Sequence, residues 1–172
     1  MLQVGSVRLR ALENKDIDSL YLWENDTEIW SVSETYAPFS RAVLEQFIVS
    51  PQQDIYAARQ VRLVVECIDD SRAVGTVDLF DFDPHSRRAA VGIMIYEKSL
   101  RGKGYGRQAL EAIMMYSRKV LDMHQLYCDV HADNAASIAL FEGAGFSRVG
   151  IKHSWSLTDA QWKDVIMFQF VF

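Results

Sequence analysis

Apolar and polar positions alternate from Val7 to Ala11, which predicts a short first strand. The period then changes. Ile17, Leu20, Tyr21 and Trp23 recur at helical spacing, with Asn14 or Asp16 placed to cap the start. Residues 24–39 are mixed and carry several aromatics: Trp30, Tyr36 and Phe39. Ser40 is the expected N-cap of a second helix, with Val43, Leu44, Phe47 and Ile48 inward and Pro51 as its stop. Three strand patterns follow closely: Arg62 to Ile68, Ala73 to Phe82 and Arg88 to Tyr96. The turns between them, Asp69-Asp70-Ser71 and Asp83-Pro84-His85-Ser86, are short and polar, so the three strands read as an antiparallel meander.

After Leu100 the helical period returns. Tyr105, Ala109, Ala112, Ile113, Tyr116 and Val120 line one face of a helix over 104–121. Gln125 to His131 is again a strand. The helix between it and the preceding strand is a crossover, which predicts a parallel pair. Asn134 to Ala144 reads as a short helix ended by Gly145 in a left-handed conformation. Phe146 to Trp155 and Lys163 to Phe172 close the chain as two strands. The expected class is α+β: an antiparallel meander, one β-loop-α-β unit and a terminal hairpin, in one domain over residues 1–172.

Composition narrows the function classes. Nearly half of the 172 residues are apolar, enough for one sizeable core. The formal net charge of -5 argues against a protein that coats nucleic acid and fits a cationic partner better than an anionic one. Cys67 and Cys128 each sit inside an apolar strand-like run and give no metal spacing, so buried free thiols and no metal site are expected. No apolar run approaches the roughly 18 residues of a membrane span. The N-terminus lacks a secretory apolar segment. The expectation is a reduced, cytoplasmic protein with no membrane or nucleic-acid partner.

The chemistry is concentrated at residues 101–106, Arg-Gly-Lys-Gly-Tyr-Gly. Glycines at 102, 104 and 106 let the backbone approach a ligand and aim several N–H groups at one place. The helix N-terminus behind them adds partial positive charge, and Arg101 and Lys103 add full charges. The combination suits a diphosphate. A plain turn with glycines for tight packing is the bland alternative, and the two cations weigh against it. The Gly-Lys-Ser/Thr of a Walker loop is absent. Gly104 to Ala109 fits a dinucleotide fingerprint with alanine last, and Asp129 follows at about the right distance. That fold, however, needs several alternating parallel units, and only one is visible here.

These residues resemble the GNAT superfamily of acetyl-CoA-dependent N-acetyltransferases. Arg101-x-x-Gly104-x-Gly106 matches its pyrophosphate motif. One strand later stands Val130-x-x-x-Asn134-x-x-Ser137-x-x-Leu140-Phe141-x-x-x-Gly145-Phe146, its second signature. Trp23-Glu24-Asn25-Asp26 and Pro38-Phe39-Ser40 extend the likeness to the N-terminal half, in the branch of spermidine/diamine and ribosomal-protein N-acetyltransferases. Val64-Val65-Glu66-Cys67, Arg87-Arg88-Ala89 and Arg101-Gly102-Lys103-Gly104 look most like the spermidine type.

The resemblance implies a mostly antiparallel, splayed sheet flanked by helices, with acetyl-CoA as the acyl donor. The strand around Ile93, Met94 and Ile95 would pair with the pantetheine arm. Backbone N–H groups of Arg101, Gly102, Lys103, Gly104, Tyr105 and Gly106 would hold the pyrophosphate, and Asn134 would fix the arm near the thioester. The acceptor would be a small primary amine, preferably a polyamine such as spermidine, entering from the opposite side of the sheet and contacting Glu34 and Asp78. A protein N-terminus is the alternative acceptor. Homo-oligomers are the expected assembly.

Two positions depart from the pattern. The family commonly has tyrosine at Phe141, where its hydroxyl is the proposed acid, and often a carboxylate at Ala90. Phenylalanine donates no proton, so the catalytic group is unassigned. Either the coenzyme A thiolate leaves unassisted, or another hydroxyl such as Tyr127 or Tyr36 substitutes, or the chain binds acyl-CoA without efficient turnover. Asp81 is a further carboxylate on the second meander strand. His131, before Asn134, reads as a surface or hydrogen-bonded histidine rather than a base.

Overall fold

The computed structural model describes residues 2–33, 35–49, 54–158 and 160–172. Among the described residues, eight strands form one sheet in the order β1-β2-β3-β4-β5-β6-β8-β7. They are β1 (Gln3–Val4), β2 (Val7–Ala11), β3 (Val61–Cys67), β4 (Ala73–Asp83), β5 (Arg88–Ile95), β6 (Gln125–His131), β7 (Ser147–Thr158) and β8 (Gln161–Val171). Every pairing is antiparallel except β5 with β6. The class expected from the sequence, α+β with a mostly antiparallel sheet, is the one observed.

The two faces of the sheet have different chemistry, because side chains alternate along each strand. One face carries Leu9 opposite Val65, Leu63 opposite Val77, Val91 opposite Leu79, and Leu126 opposite Phe170. It is covered by helices α5 (Tyr105–Lys119) and α6 (Ala135–Gly143), and this interface is the main core. Ala109, Leu110, Ala112 and Ile113 form the buried stripe of α5, so its predicted period is correct there. Val120, expected on the same stripe, is half exposed because the helix has ended. Cys67 and Cys128 are buried and free in this core, as expected.

The opposite face is polar and is covered in part by α1 (Ile17–Glu24), α2 (Thr27–Ser33) and α3 (Arg41–Val49). Leu20, Leu44 and Ile48 form a small second core there, with Ile17 and Phe39 against it. Tyr21 and Val43, expected inward, are exposed, because the contact between these short helices is narrow. Ser40 caps α3 as predicted, its Oγ accepting the Val43 N–H at 3.3 Å. Asp16 does precede α1, but its carboxylate accepts from the Glu13 N–H and from Arg10 instead of capping that helix. The sequence showed no period for α2, β1 or the short helix α4 (Ile55–Ala58). Pro51 and Glu34 lie outside the described residues.

Gly145 ends α6 at φ +92, and the Phe146 N–H returns to the Phe141 carbonyl at 3.0 Å. Among the described residues, no helix is long and apolar enough to cross a membrane.

Candidate active site

The parallel contact between β5 and β6 is brief. Arg88, Ala89 and Ala90 pair with Gln125, Leu126 and Tyr127, and beyond them the strands part. The rest of β5, through Ile95, therefore has a partner strand only on its β4 side. Tyr96 gives its backbone N–H to the Val74 carbonyl of β4 at 3.1 Å. Alternate residues turn their hydrogen-bonding groups the same way, so those of Met94 and Gly92 also face β4. Ile93 and Ile95 turn theirs into the open cleft. The Ile95 carbonyl accepts from Arg101 Nε at 2.8 Å, which fixes that direction independently. What remains on this edge is the pairing capacity of a strand, available to an extended ligand that carries amides.

The wide end of the cleft meets the glycine loop. Gly102 and Gly104 have φ of +74 and +88, values that only glycine adopts freely. The Arg101 N–H is already given to the Lys98 carbonyl at 3.2 Å. Among the described residues, the N–H groups from Gly102 to Arg107 have no protein acceptor, and no side chain caps α5. A Cβ on Gly106 would lie 3.7 Å from Leu140 and 3.8 Å from Ile95, so the loop, the end of β5 and α6 converge here. Lys103 is exposed beside them. Loop, helix terminus and strand edge together fit a ligand with a diphosphate and an extended amide arm.

Asn134 stands at the start of α6, at the same end of the cleft. Its Oδ1 accepts the Ser137 N–H at 3.1 Å, which leaves its NH₂ without a partner among the described residues. Phe141, two turns further on, points into the core. It is 4% exposed and packs edge-on to Phe146, with ring centroids 5.1 Å apart.

Asp78 lies on the polar face, and its carboxylate is engaged. Arg62 of β3 gives Nε to Asp78 at 2.6 Å and a terminal nitrogen to Glu24 of α1 at 2.5 Å. Two carboxylates thus share one guanidinium. Burial works against the charge of Arg62, and Asp78 and Glu24 outweigh it, so its pKa is raised. Trp23 stacks on Tyr96 beside this cluster, ring centroids 4.5 Å apart. Burial, then the charge of Glu24, pushes the Tyr96 phenol up to about 12. Glu24, Arg62 and Tyr96 were not singled out from the sequence. The available signal was one arginine in the apolar run Val61–Cys67.

A cavity of about 240 Å³ opens between α2 and the β7–β8 tip. Thr27, Trp30, Thr35 and Tyr36 line one side, and Ser156, Leu157 and Thr158 the other. Among the described residues, no group of three or more His, Cys, Asp and Glu is placed to hold a metal ion.

Residues 6–147 match the acetyltransferase (GNAT) domain family. The chain belongs to the GNAT acetyltransferases. This GNAT enzyme is 28% identical to the spermidine N(1)-acetyltransferase of Vibrio cholerae over 148 residues, covering 85% of this chain and 82% of that one. It is 26% identical to the N-alpha-acetyltransferase RimI of Mycobacterium tuberculosis over 118 residues, covering 69% and 67%. The crystal structure of the Vibrio cholerae spermidine N-acetyltransferase with CoA and spermine superposes on the GNAT chain with a TM-score of 0.85 at 25% identity, covering 96% and 95%. A dodecameric structure of that enzyme superposes with a TM-score of 0.79 at 25% identity, covering 96% and 94%.

Proposed function

We propose that this acetyltransferase uses acetyl-CoA to acetylate a small primary amine, with a polyamine as the preferred acceptor. The observation that carries the donor is the edge of β5 at Ile93 and Ile95, running into the unpaired N–H groups of Gly102 to Arg107. Acetyl-CoA supplies an acetyl thioester at the end of an amide-bearing arm. Ile93 and Ile95 hold that arm as a neighbouring strand would. The loop N–H groups, Arg101 and Lys103 hold the diphosphate end. The Asn134 amide has donors to spare for the arm. Fixing both reactants across the cleft supplies most of the acceleration that acyl transfer needs.

The acceptor side is the polar face. The Glu24–Arg62–Asp78 cluster keeps one net negative charge there, which favours a cationic amine. The likeness to the Vibrio cholerae spermidine enzyme over most of both chains supports the same choice. A protein N-terminus is the second reading. The RimI likeness favours it, as do the aromatics and hydroxyls among the described residues that line the cavity between α2 and the β7–β8 tip. Self-association is part of the proposal. The related enzyme has a dodecameric structure, and edge strand β7 exposes Val149, Ile151, Trp155 and Leu157.

The test is an acceptor panel of spermidine, spermine, monoamines and N-terminal peptides, read by release of free coenzyme A. Spermidine or spermine should give the highest kcat/KM. Peptide turnover without polyamine turnover would replace the acceptor, and no release with any amine would reject the reading.

A further inference from the structure

Acetylation of an amine must remove one proton from nitrogen, and among the described residues few groups on β4–β6 at the narrow end of the cleft can take it. On the polar face, the last paired positions of β5 and β6 are Ala90 and Tyr127, side by side in register. Ala90 offers a methyl group. Gly92, the next β5 residue on that face, offers none, and the Phe80 ring lies over it. Asp129, the next β6 residue on that face, is held by Lys152 at 2.6 Å. Asp78 is held by Arg62, and Phe141 is buried in hydrocarbon on the other face. His131 faces the same way as Tyr127 but stands at the wide end of β6, about 13 Å along the strand.

Among the described residues of β4, β5 and β6 on this face, the remaining pair is Tyr127 and Asp81. The register of β4 slips between Phe80 and Asp83, and Asp81 there adopts φ +49. Bulges of this kind re-aim a side chain. The Asp81 carboxylate lies 3.4 Å from the Tyr127 hydroxyl, which can donate to it. Tyr127 is half-buried and Asp81 is exposed to solvent. The pair therefore spans from the point where the strands part to bulk water.

Resting on the acetyltransferase reading above, we propose that Tyr127 is the catalytic proton acceptor for the amine and that Asp81 acts through it. The amine nitrogen bonds to the thioester carbonyl carbon and gives a proton to Tyr127 Oη. Tyr127 passes its own proton to Asp81, which returns it to water. The C–S bond breaks, and its electron pair stays with the departing thiolate. A hydrogen bond of 3.4 Å is long for this purpose, and such bonds commonly tighten when substrate binds. The charged groups around Tyr127 are Asp81 from β4, Arg88 from β5 and Asp129 from β6; β8 places Gln169 opposite it. Arg88 lies 3.3 Å from Asp83. Burial first, then the charge of Asp81, raises the Tyr127 pKa, so the phenol keeps its proton at neutral pH as a relay requires.

The experiment compares wild type, Tyr127→Phe, Asp81→Asn and His131→Gln with the best amine of the panel across pH. Asn tolerates the left-handed backbone at position 81, so that change removes charge without straining the bulge. Tyr127→Phe should lower kcat near neutral pH by about 100-fold with the acetyl-CoA KM unchanged. Its deficit should shrink as pH rises and the amine arrives with fewer protons. Asp81→Asn should show the same pH pattern with a smaller loss. A Tyr127→Phe enzyme with wild-type kcat and pH profile overturns the relay. So does a His131→Gln enzyme that alone shows the pH-dependent loss. No coenzyme A release from wild type with any amine would overturn the acetyl-transfer reading and the relay with it, an outcome distinct from active wild type with unaffected variants.

Discussion

Phe141 shows how one residue can be legible as chemistry and opaque as structure. Its identity alone says that no proton comes from this position. Only the fold says what the ring does instead: it sits between Phe146 and Phe168 and helps join α6 to β8. Truncating so buried an aromatic removes its transfer free energy and leaves a cavity. Phe141→Ala should therefore lower the unfolding free energy by about 3–5 kcal/mol in urea melts. It should still turn over at temperatures where it stays folded, because no protonatable atom is lost. Asp78 is the converse case. It is a plausible amine contact by sequence, yet its partner Arg62 is 16 positions away and is joined to it only by the β3–β4 register. No local pattern carries a cross-strand ion pair.

Elements were readable where the pattern was long or punctuated. β2 and β6 have the bounds their alternation implies, and the 15-residue helix α5 announced itself by period. The seven residues of α2 span too few turns for a period to show. In α1 and α3 the apolar stripe is wider than the surface available to bury it, which is why Tyr21 and Val43 remain outside. The glycine loop was legible because its chemistry is local. Gly104 carries φ +88 immediately before α5, and a Cβ in that conformation costs about 1–2 kcal/mol. Relieving the strain would turn the adjacent N–H groups away from their common focus. Gly104→Ala should raise the acetyl-CoA KM about tenfold, equivalent to roughly 1.4 kcal/mol of binding. The amine KM should stay near wild type. Initial rates at varied acetyl-CoA and saturating amine measure this.

At the scale of the whole molecule, the sheet divides labour between an apolar face that makes the core and a polar face that receives the first three helices. That division explains why buried charge gathers on one side. Glu66 is 1% exposed and bonds both Arg8 and Arg10, and Arg10 also holds Asp16 at 2.7 Å. The chain thereby ties β2 and β3 to the turn that launches α1. Along the sequence, Glu66 was only one letter in an apolar run, because the arginines that neutralise it lie on another strand. Burial tends to raise the Glu66 pKa, but Arg10 and Arg8 overcome it, and the carboxyl sits below its ordinary range. Asp16 is likewise lowered by Arg10 and the Glu13 N–H, against burial. A lowered folded-state pKa stabilises the fold above the ordinary carboxyl pKa of about 4, and the contribution disappears as pH falls through the folded value. Glu66→Gln should therefore cost about 2 kcal/mol or more at pH 7, where Arg8 and Arg10 lose the buried carboxylate they share and face an uncharged amide. The gap between variant and wild type should close as pH falls below the ordinary carboxyl range, where wild-type Glu66 is itself protonated. Urea melts at a series of pH values would show the two stability curves converging on the acid side. Curves that stayed parallel would mean that Glu66 acts through packing alone.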